Sequence, residues 1–423
     1  MKRNRFLIVS ALLLFLTFSG CAGIRTIGDL VTGEGKLAQD AVIVQVEVIN
    51  NMIIVPVWVN GYDKPMKFML HTGIGSGIDP KSAALAGIQP TLKGIGRTLA
   101  GEIKEHDYGA VDRFEIGKGV VVTNELIQFM DTSSIRENIG VEVDGVIGSP
   151  MMRHFEVTID YRHQRLIFQD PEKSDIDKVA TNDNVYTMPY DLAIEEGWLI
   201  MINGKANNQV KSVFVVDTGY LGDIFLAHDT MVYLGYLDKL PNQLPVAQLE
   251  GESIGGYTGL YQQPTMGKLN DLRFGAMDVG PTLFVSAQGE NNLLGGNVLR
   301  NYRITFNHIK RVIVFRQYED KQLRTQFFSC GLNVGERNGK IVVTGLVKNS
   351  EADRLGIRAM DVIVKVNGKD ANMLGLQQIQ RILLDDTVKT IDLEIQREGG
   401  NLKATIGKAD LLDPTCLFKS EEK

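Results

Sequence analysis

The sequence predicts a mainly β protein in which one β unit occurs twice and a small α+β domain follows. Its 423 residues are enough for two or three domains. A hydrophobic content of 44% and a charged content of 23% are those of an ordinary globular protein, and the 44 glycines suit a chain rich in turns. Two near-copies of one strand-type run, at residues 67–73 and 214–219, indicate the duplication.

Each near-copy ends in one titratable residue, a hydroxyl and a glycine. Residues 214–219 read Phe-Val-Val-Asp-Thr-Gly and residues 67–73 read Lys-Phe-Met-Leu-His-Thr-Gly. Asp217 therefore corresponds to His71, at an offset of 217 − 71 = 146. The titratable residue lies at a strand end, where a glycine lets the backbone turn sharply.

Other landmarks repeat at almost the same offset. Residues 146–148 (Val-Ile-Gly) correspond to residues 293–295 (Leu-Leu-Gly), and Phe168 corresponds to Phe315 at 315 − 168 = 147. Landmarks in one order at one offset indicate two homologous units.

This pattern resembles the lobe of retropepsin/pepsin-type aspartic proteases, in which a strand ends in Asp-Thr-Gly and a hydrophobic-hydrophobic-Gly run follows a long hairpin region. The resemblance covers residues 41–318 and implies a bilobal aspartic-protease (acid protease) β fold. Lobe one would span residues 41–180 and lobe two residues 181–318. The family's flap hairpins would lie within residues 94–116 and around residues 255–259.

The resemblance also implies a catalytic pair, Asp217 and His71, similar to the histo-aspartic proteases in which histidine replaces one catalytic aspartate. Asp217 would take a proton from water, and His71 would polarise the substrate carbonyl or hold its oxyanion. The residues that support the two loops would be Thr72, Gly73, Thr218 and Gly219. Ile74 and Tyr220 replace the family's small residue after each triplet, which would loosen the pair. Tyr257 is either a flap tyrosine over the substrate or a hairpin tyrosine without a role.

The predicted α+β domain spans residues 328–408. Residues 349–357 (Asn-Ser-Glu-Ala-Asp-Arg-Leu-Gly-Ile) and 361–368 (Asp-Val-Ile-Val-Lys-Val-Asn-Gly) resemble the bacterial-type PDZ domain, with Met360 where that pattern usually has Gly. The resemblance implies a groove along a helix at residues 374–385, which binds an extended or carboxyl-terminal peptide by adding it to a sheet edge. The carboxylate-binding loop would contain Gly331, Leu332 and Asn333.

Residues 1–21 are predicted to be a lipoprotein signal peptide, in which basic residues precede an apolar stretch that ends in Phe-Ser-Gly-Cys. Cys21 would carry the lipid, and the alternative is a plain signal peptide that contains a cysteine. Ala22 in place of an acid is similar to lipoproteins sent to an outer membrane. We therefore expect a bacterial cell-envelope protein that faces the periplasm and contacts the membrane through its lipid alone.

The remaining segments are predicted to be connections: a tether at residues 22–40, a linker at residues 319–327 and a tail at residues 409–423. In an oxidising compartment Cys330 and Cys416 are either a disulfide or two free thiols.

Composition and spacing argue against several classes of partner. The net charge of −6 argues against nucleic acid. The histidines show no paired metal-ligand spacing, so the sequence predicts no metal and no cofactor. Two functions stay open: an envelope-anchored aspartic-type endopeptidase whose PDZ domain recruits protein substrates or partners, and an inactive pseudoprotease that binds peptides or proteins. A homodimer that pairs Asp217 of two chains is disfavoured, because lobe one already takes the partner's place.

Overall fold

The computed structural model describes residues 33–97, 103–194, 197–207, 210–235, 247–251, 264–287, 289, 291–397 and 399–413. These residues form a mainly β structure, as the sequence predicts. Among them, no helix has both the length and the apolar character that crossing a membrane requires.

The first lobe begins before residue 41 and ends near residue 169. Its strands are β1 (Glu34–Leu37), β2 (Ala41–Gln45), β3 (Glu47–Ile49), β4 (Met52–Val59), β5 (Met66–His71), β6 (Gly77–Ile78), β7 (Leu92–Arg97), β8 (Ile103–Ile116), β9 (Val120–Phe129), β10 (Gly145–Gly148), β11 (Glu156–Asp160) and β12 (Arg165–Gln169). Its helices are α1 (Pro80–Leu85), α2 (Ser133–Ile139) and α3 (Ser149–Met152). Asp79 caps α1 by accepting a hydrogen bond from the backbone N of Lys81.

The second lobe follows a short 3₁₀ helix at Ile176–Lys178. Its strands are β13 (Val185–Pro189), β14 (Asp191–Ala193), β15 (Leu199–Ala206), β16 (Val210–Val216), β17 (Ile224–Ala227), β18 (Ala247–Gly251), β19 (Thr265–Leu269), β20 (Leu272–Phe274), β21 (Met277–Asp278), β22 (Thr282–Ala287), β23 (Asn292–Leu294), β24 (Tyr302–Asn307) and β25 (Val312–Gln317). Its helices are α4 (His228–Tyr233) and α5 (Gly296–Leu299).

The two lobes repeat one arrangement of strands. In the first lobe, β10 lies between β5, to which it is parallel, and β6, to which it is antiparallel. In the second lobe, β23 lies between β16 and β17 in the same directions. Apolar side chains fill these central strands on both faces, and Phe68, Leu70 and Leu294 are completely buried. The burial explains why both runs read as continuous hydrophobic stretches.

A further sheet joins the lobes, in the order β13-β25-β24-β11-β12-β2. Strand β11 of the first lobe is antiparallel to β24 of the second, and Thr158 lies opposite Thr305. Their Oγ1 atoms are 2.8 Å apart, and the two residues are 147 positions apart in the chain. Because equivalent residues face each other, the lobes are related locally by a twofold rotation that passes between these threonines.

The last domain follows the second lobe. Its strands are β26 (Phe328–Ser329), β27 (Leu332–Arg337), β28 (Lys340–Val347), β29 (Val362–Val366), β30 (Lys369–Asp370), β31 (Thr390–Arg397), β32 (Gly400–Gly407) and β33 (Ala409–Asp410). Its helices are α6 (Glu351–Arg354), α7 (Ala371–Leu374) and α8 (Leu376–Leu384). Helix α8 buries Leu376, Ile379 and Leu383 at helical spacing against this domain's own core.

Strand β18 connects the second lobe to this domain. Its first residues, Ala247 and Gln248, pair with β19, and Leu249–Gly251 pair with β28. The backbone hydrogen bonds of two domains therefore meet in one strand, and their sheets are continuous.

Two predicted connections contain regular structure. Strand β1 lies inside the predicted tether and pairs with β9, so the tether prediction is wrong for Glu34–Leu37. Strand β33 lies inside the predicted tail and pairs with β26, and the Leu411 and Leu412 side chains that follow it are buried against Leu283. Both segments are short edge strands of mixed composition, which carry too little hydrophobic periodicity to be recognised from sequence.

Candidate active site and peptide groove

His71 and Asp217 lie at the ends of equivalent strands. His71 is the last residue of β5, and Asp217 follows directly after β16. The local twofold rotation brings these strand ends together, and Nδ1 of His71 is 2.9 Å from Oδ1 of Asp217. Both residues are only 4% exposed. The structure therefore brings together the two residues that the repeat predicts to be partners.

The Asp217 carboxylate is held by backbone donors as well as by the imidazole. Its Oδ1 accepts hydrogen bonds from the backbone N of Gly219 at 2.8 Å and of Tyr220 at 3.1 Å. Asp217 Oδ2 accepts no hydrogen bond from the described residues. One carboxylate oxygen is thus fixed in the loop while the other is available to a further donor.

The His71 imidazole has two neighbours at the same nitrogen. The backbone N of Gly73 lies 3.2 Å from Nδ1, which is longer than the contact with Asp217. A ring nitrogen either donates or accepts, so Nδ1 does not accept from Gly73 while it donates to the carboxylate. We assign the Nδ1 proton to the shorter contact, which leaves Nε2 as the ring's other functional atom.

Thr72 and Thr218 join the two loops by a symmetric set of hydrogen bonds. The backbone N of each threonine donates to Oγ1 of the other, at 3.1 Å in both directions. Thr72 Oγ1 donates to the carbonyl of Val216 at 2.5 Å, and Thr218 Oγ1 donates to the carbonyl of Leu70 at 3.0 Å. Neither threonine is exposed, so these bonds form without competition from water.

Gly73 and Gly219 allow the loops to approach each other. A β-carbon on Gly73 would lie 2.4 Å from Cγ of Asp217, and one on Gly219 would lie 2.2 Å from Cδ2 of His71. Each glycine thus lies against the titratable side chain of the opposite lobe. Any larger residue at either position would push the pair apart.

Tyr220 is expected from the sequence to loosen the His71–Asp217 pair, but the structure accommodates its side chain. Its backbone supports Asp217, and its ring packs within the second lobe against Phe225, with ring centroids 6.2 Å apart. Its hydroxyl donates to the carbonyl of Ile224 at 3.3 Å. The side chain is therefore accommodated in the lobe's core, and the loop keeps its donor to the carboxylate.

Tyr161 is a residue near this site that the sequence did not suggest. It is 7% exposed, and its hydroxyl has no hydrogen-bond partner among the described residues. Burial, followed by the negative charge of Asp217, raises the pKa of Tyr161 above its usual value. The phenol is therefore a neutral donor close to the pair. In the repeat it corresponds to His308, a difference that could have drawn attention to it.

The predicted carboxylate-binding residues lie at the start of a strand. Gly331 has a φ of +83°, a conformation that favours glycine, and Leu332 and Asn333 are the first residues of β27. Strand β27 lies beside α8, as expected for a peptide groove. A cavity of about 300 Å³ opens where Leu332 and Asn333 meet the end of α8. Its walls do not include the His71–Asp217 pair.

Several predicted residues lie outside the described ranges. These are the lipidation candidate Cys21, the flap candidate Tyr257 and Cys416. The thiol of Cys330 is buried, and this burial raises its pKa. Within the described ranges, no group of three or more His, Cys, Asp or Glu side chains is arranged to hold a metal ion.

Comparisons with known proteins concern mainly the last domain. The carboxy-terminal processing protease CtpA of Bacillus subtilis (strain 168) is 30% identical over 100 residues, which are 23% of this chain and 21% of that protein. A probable CtpA-like serine protease of Staphylococcus aureus (strain COL) is 35% identical over 97 residues, which are 23% of this chain and 20% of that protein. The chain therefore spans about a fifth of the length of these relatives, in the region of the last domain.

One solved structure aligns with a larger share of the chain. The crystal structure of basic 7S globulin from soybean covers 67% of this chain and 95% of its own, at 9% sequence identity. The TM-score is 0.38, which is too low to decide the fold.

The family profile described as PDZ domain matches residues 342–397. This range contains β29, β31 and α8, and β27 lies beside α8 immediately before it. Modules of this family bind peptides and proteins. Residues 342–397 are therefore part of a PDZ domain, as the sequence predicts.

Proposed function

We propose that this protein is an aspartic-type endopeptidase in which His71 and Asp217 replace the usual pair of aspartates. The observation that carries the proposal is their contact at 2.9 Å, made by equivalent residues at the ends of equivalent strands. The threonine hydrogen bonds and the two glycines hold the loops in this arrangement. An isolated contact between a buried histidine and an acid would not require these symmetric hydrogen bonds and glycines, so the symmetry favours a shared site.

The two side chains would divide the chemistry of peptide hydrolysis. Asp217 Oδ2 would take a proton from a water molecule, whose oxygen then bonds to the carbonyl carbon of the substrate. The His71 imidazole would stabilise the negative charge that develops on the carbonyl oxygen. The proton held by Asp217 would pass to the departing amine as the peptide bond breaks.

The test is cleavage of a diverse peptide library from acidic to neutral pH. Asp217→Asn should lower the rate at least about a hundredfold, because it removes the general base. His71→Asp should retain cleavage and shift its pH dependence toward acid, since it restores a pair of carboxyls. Asp144→Asn is a matched control, because within the described part of the chain its carboxylate accepts hydrogen bonds from Ser82 Oγ and from the backbone N of Lys67, away from the pair. Equal rates in the parent and in Asp217→Asn would end the proposal.

A peptide-binding pseudoprotease is the second candidate. The observation that favours it is the direct contact of two side chains that are each 4% exposed, which leaves water little access to the carboxylate. If the parent protein cleaves no peptide while His71→Asp does, this second candidate would be established. Binding of library peptides without cleavage by any variant would point the same way.

We further propose that the PDZ domain recruits protein substrates or partners and that a lipid on Cys21 anchors the chain in a bacterial envelope. The signal-like residues 1–21 support the anchor. Radiolabelled palmitate incorporated into the parent and absent from Cys21→Ser would be the expected result. Equal labelling of the parent and of Cys21→Ser would exclude Cys21 as the lipid attachment site.

A further inference from the structure

The PDZ groove is partly covered by the chain's own first lobe. Residues 136–140, which we term the docking segment, comprise the end of α2 and the residue after it. Arg136 Nη1 lies 2.6 Å from Glu336 Oε1 on β27. Arg337, also on β27, donates to the side chain of Asn138 at 2.9 Å.

The docking segment contacts α8 on its other side. Gln380 Nε2 donates to the carbonyl of Asn138 at 2.6 Å, and Gln377 Nε2 donates to the carbonyl of Gly140 at 2.7 Å. A β-carbon on Gly335 of β27 would lie 2.9 Å from the carbonyl oxygen of Glu137. The segment therefore lies between β27 and α8, where PDZ domains bind an extended peptide.

Beside the docking segment, the groove opens into the cavity of about 300 Å³. Three domains line it: Ile139 of the first lobe, Leu221 and Phe284 of the second, and Leu332 and Leu383 of the PDZ domain. This volume is at the lower end of the range for ligand pockets and suits one apolar side chain with its backbone.

Two cations, Arg300 and Arg324, and one acid, Asp223, line the same cavity. Arg300 and Arg324 make no ion pair with the described residues, and each has one long contact of 3.4 Å, to Asn51 Oδ1 and to the carbonyl of Leu384 respectively. Burial and then the charge of Arg324 lower the pKa of Arg300, and the charge of Asp223 opposes this shift. Asp223, 8% exposed, has an Oδ1 atom without a hydrogen-bond partner among the described residues. Two guanidinium groups against one carboxyl leave an excess of positive charge beside an apolar cavity, which favours a ligand that is apolar and ends in an anion.

PDZ domains bind carboxyl-terminal peptides by adding them to a sheet edge. We propose that the docking segment competes with such a peptide for the β27 edge, and that Arg300 of the second lobe and Arg324, which follows that lobe, face the carboxylate of the bound peptide in the cavity. A peptide with its last residue at Leu332 would run antiparallel to β27 toward Arg337. The docking segment occupies that path, so the peptide binds only as the segment leaves. The proposal rests on peptide binding by the PDZ domain and is independent of hydrolysis.

Release of the docking segment would affect the position of the His71–Asp217 pair, because the same stretch of chain leads to it. The chain continues from Gly140 to β10, whose last residue, Gly148, pairs with His71. Ligand binding in the groove would thereby be coupled to the position of one member of the pair.

The experiment measures fluorescence anisotropy in an Asp217→Asn background, so that cleavage plays no part. The probes are a pool of labelled octapeptides with a carboxyl-terminal leucine and the same pool with that terminus amidated. We expect the free acid pool to bind at least about tenfold more tightly than the amide. Replacing both Arg300 and Arg324 by glutamine should abolish this difference, because the carboxylate then meets no cation.

The competitor is tested by charge reversal in the first lobe. Arg136→Glu sets a carboxylate against Glu336 and should tighten binding of the free acid pool about threefold to tenfold. The double variant Arg136→Glu/Glu336→Arg restores the ion pair and should return the affinity to that of the parent. Arg113→Glu, which removes a similar pair with Glu115 away from the groove, should change nothing.

Three results would overturn the proposal. Equal binding of the acid and amide pools would remove the role of the two arginines. Unchanged affinity in Arg136→Glu would show that the docking segment does not compete. Absence of binding in every variant would exclude the site, while leaving the test of peptide hydrolysis unaffected.

Discussion

Replacing Thr72 by valine removes one hydroxyl from the junction of the lobes while keeping the shape of the side chain. That hydroxyl accepts from the backbone N of Thr218 at 3.1 Å and donates to the carbonyl of Val216 at 2.5 Å. Thr72 is completely buried, so neither partner can turn to water when the hydroxyl is lost.

The structure sets the size of the effect. A buried polar group left without its partner costs about 1–3 kcal/mol, and Thr72→Val leaves two such groups. We therefore expect the free energy of unfolding of the lobes to fall by about 2–6 kcal/mol. Thr72→Ser keeps both hydrogen bonds and loses one methyl group, so it should cost only about 1 kcal/mol. Thr158→Val is a second control, because among the described residues its hydroxyl has one hydrogen-bond partner, Thr305 Oγ1, at the same twofold axis.

The assay is urea-induced unfolding followed by tryptophan fluorescence. The chain contains 2 tryptophans, Trp58 in the first lobe and Trp198 in the second, so the signal reports the lobes and not the PDZ domain. Hydrogen exchange of the Thr218 amide provides a direct local measurement. A loss below about 0.5 kcal/mol in Thr72→Val, with unchanged exchange at Thr218, would refute the reasoning.

Three other changes test the same structure. Gly219→Ala places a β-carbon 2.2 Å from His71 Cδ2; the free energy of unfolding should fall by about 1–3 kcal/mol, and unchanged imidazole nitrogen chemical shifts would contradict the predicted displacement. Burial raises the pKa of Asp223 from 3.8 to about 6, so the folded protein binds the proton more tightly than the unfolded chain and stability declines as pH rises from about 4 to about 6. Asp223→Asn should lack this decline of about 3 kcal/mol in urea titrations, and equal pH slopes would refute it. Because the Cys330 thiol is buried with a raised pKa, a disulfide-exchange reagent should label it slowly in the folded protein and rapidly in urea; no labelling in urea would indicate a disulfide with Cys416.

Sequence reasoning succeeded where a short repeated pattern determines geometry. Because His71 and Asp217 end equivalent strands, pairing of equivalent residues such as Thr158 and Thr305 brings them together. The PDZ domain was predictable for a similar reason, since its strand-turn and helix start are consecutive in the chain.

The contacts between domains could not be predicted in this way. The docking segment is held by Gln377, Gln380 and Arg337, whose pattern along the chain is that of any exposed polar residue. The cavity forms only where three domains meet, so no single segment of sequence describes it. The orientation of Tyr220 likewise depends on space within the second lobe's core.

The local twofold rotation has a genetic consequence. In an assembly of identical chains, one change in the gene alters both sides of the axis, so an acid at the junction can be replaced only together with its partner. Here the two sides are encoded separately, at codons 71 and 217, although their backbones still meet as equivalents. Selection can therefore act on one half of the junction while the other half stays constant, which permits a histidine opposite an aspartate.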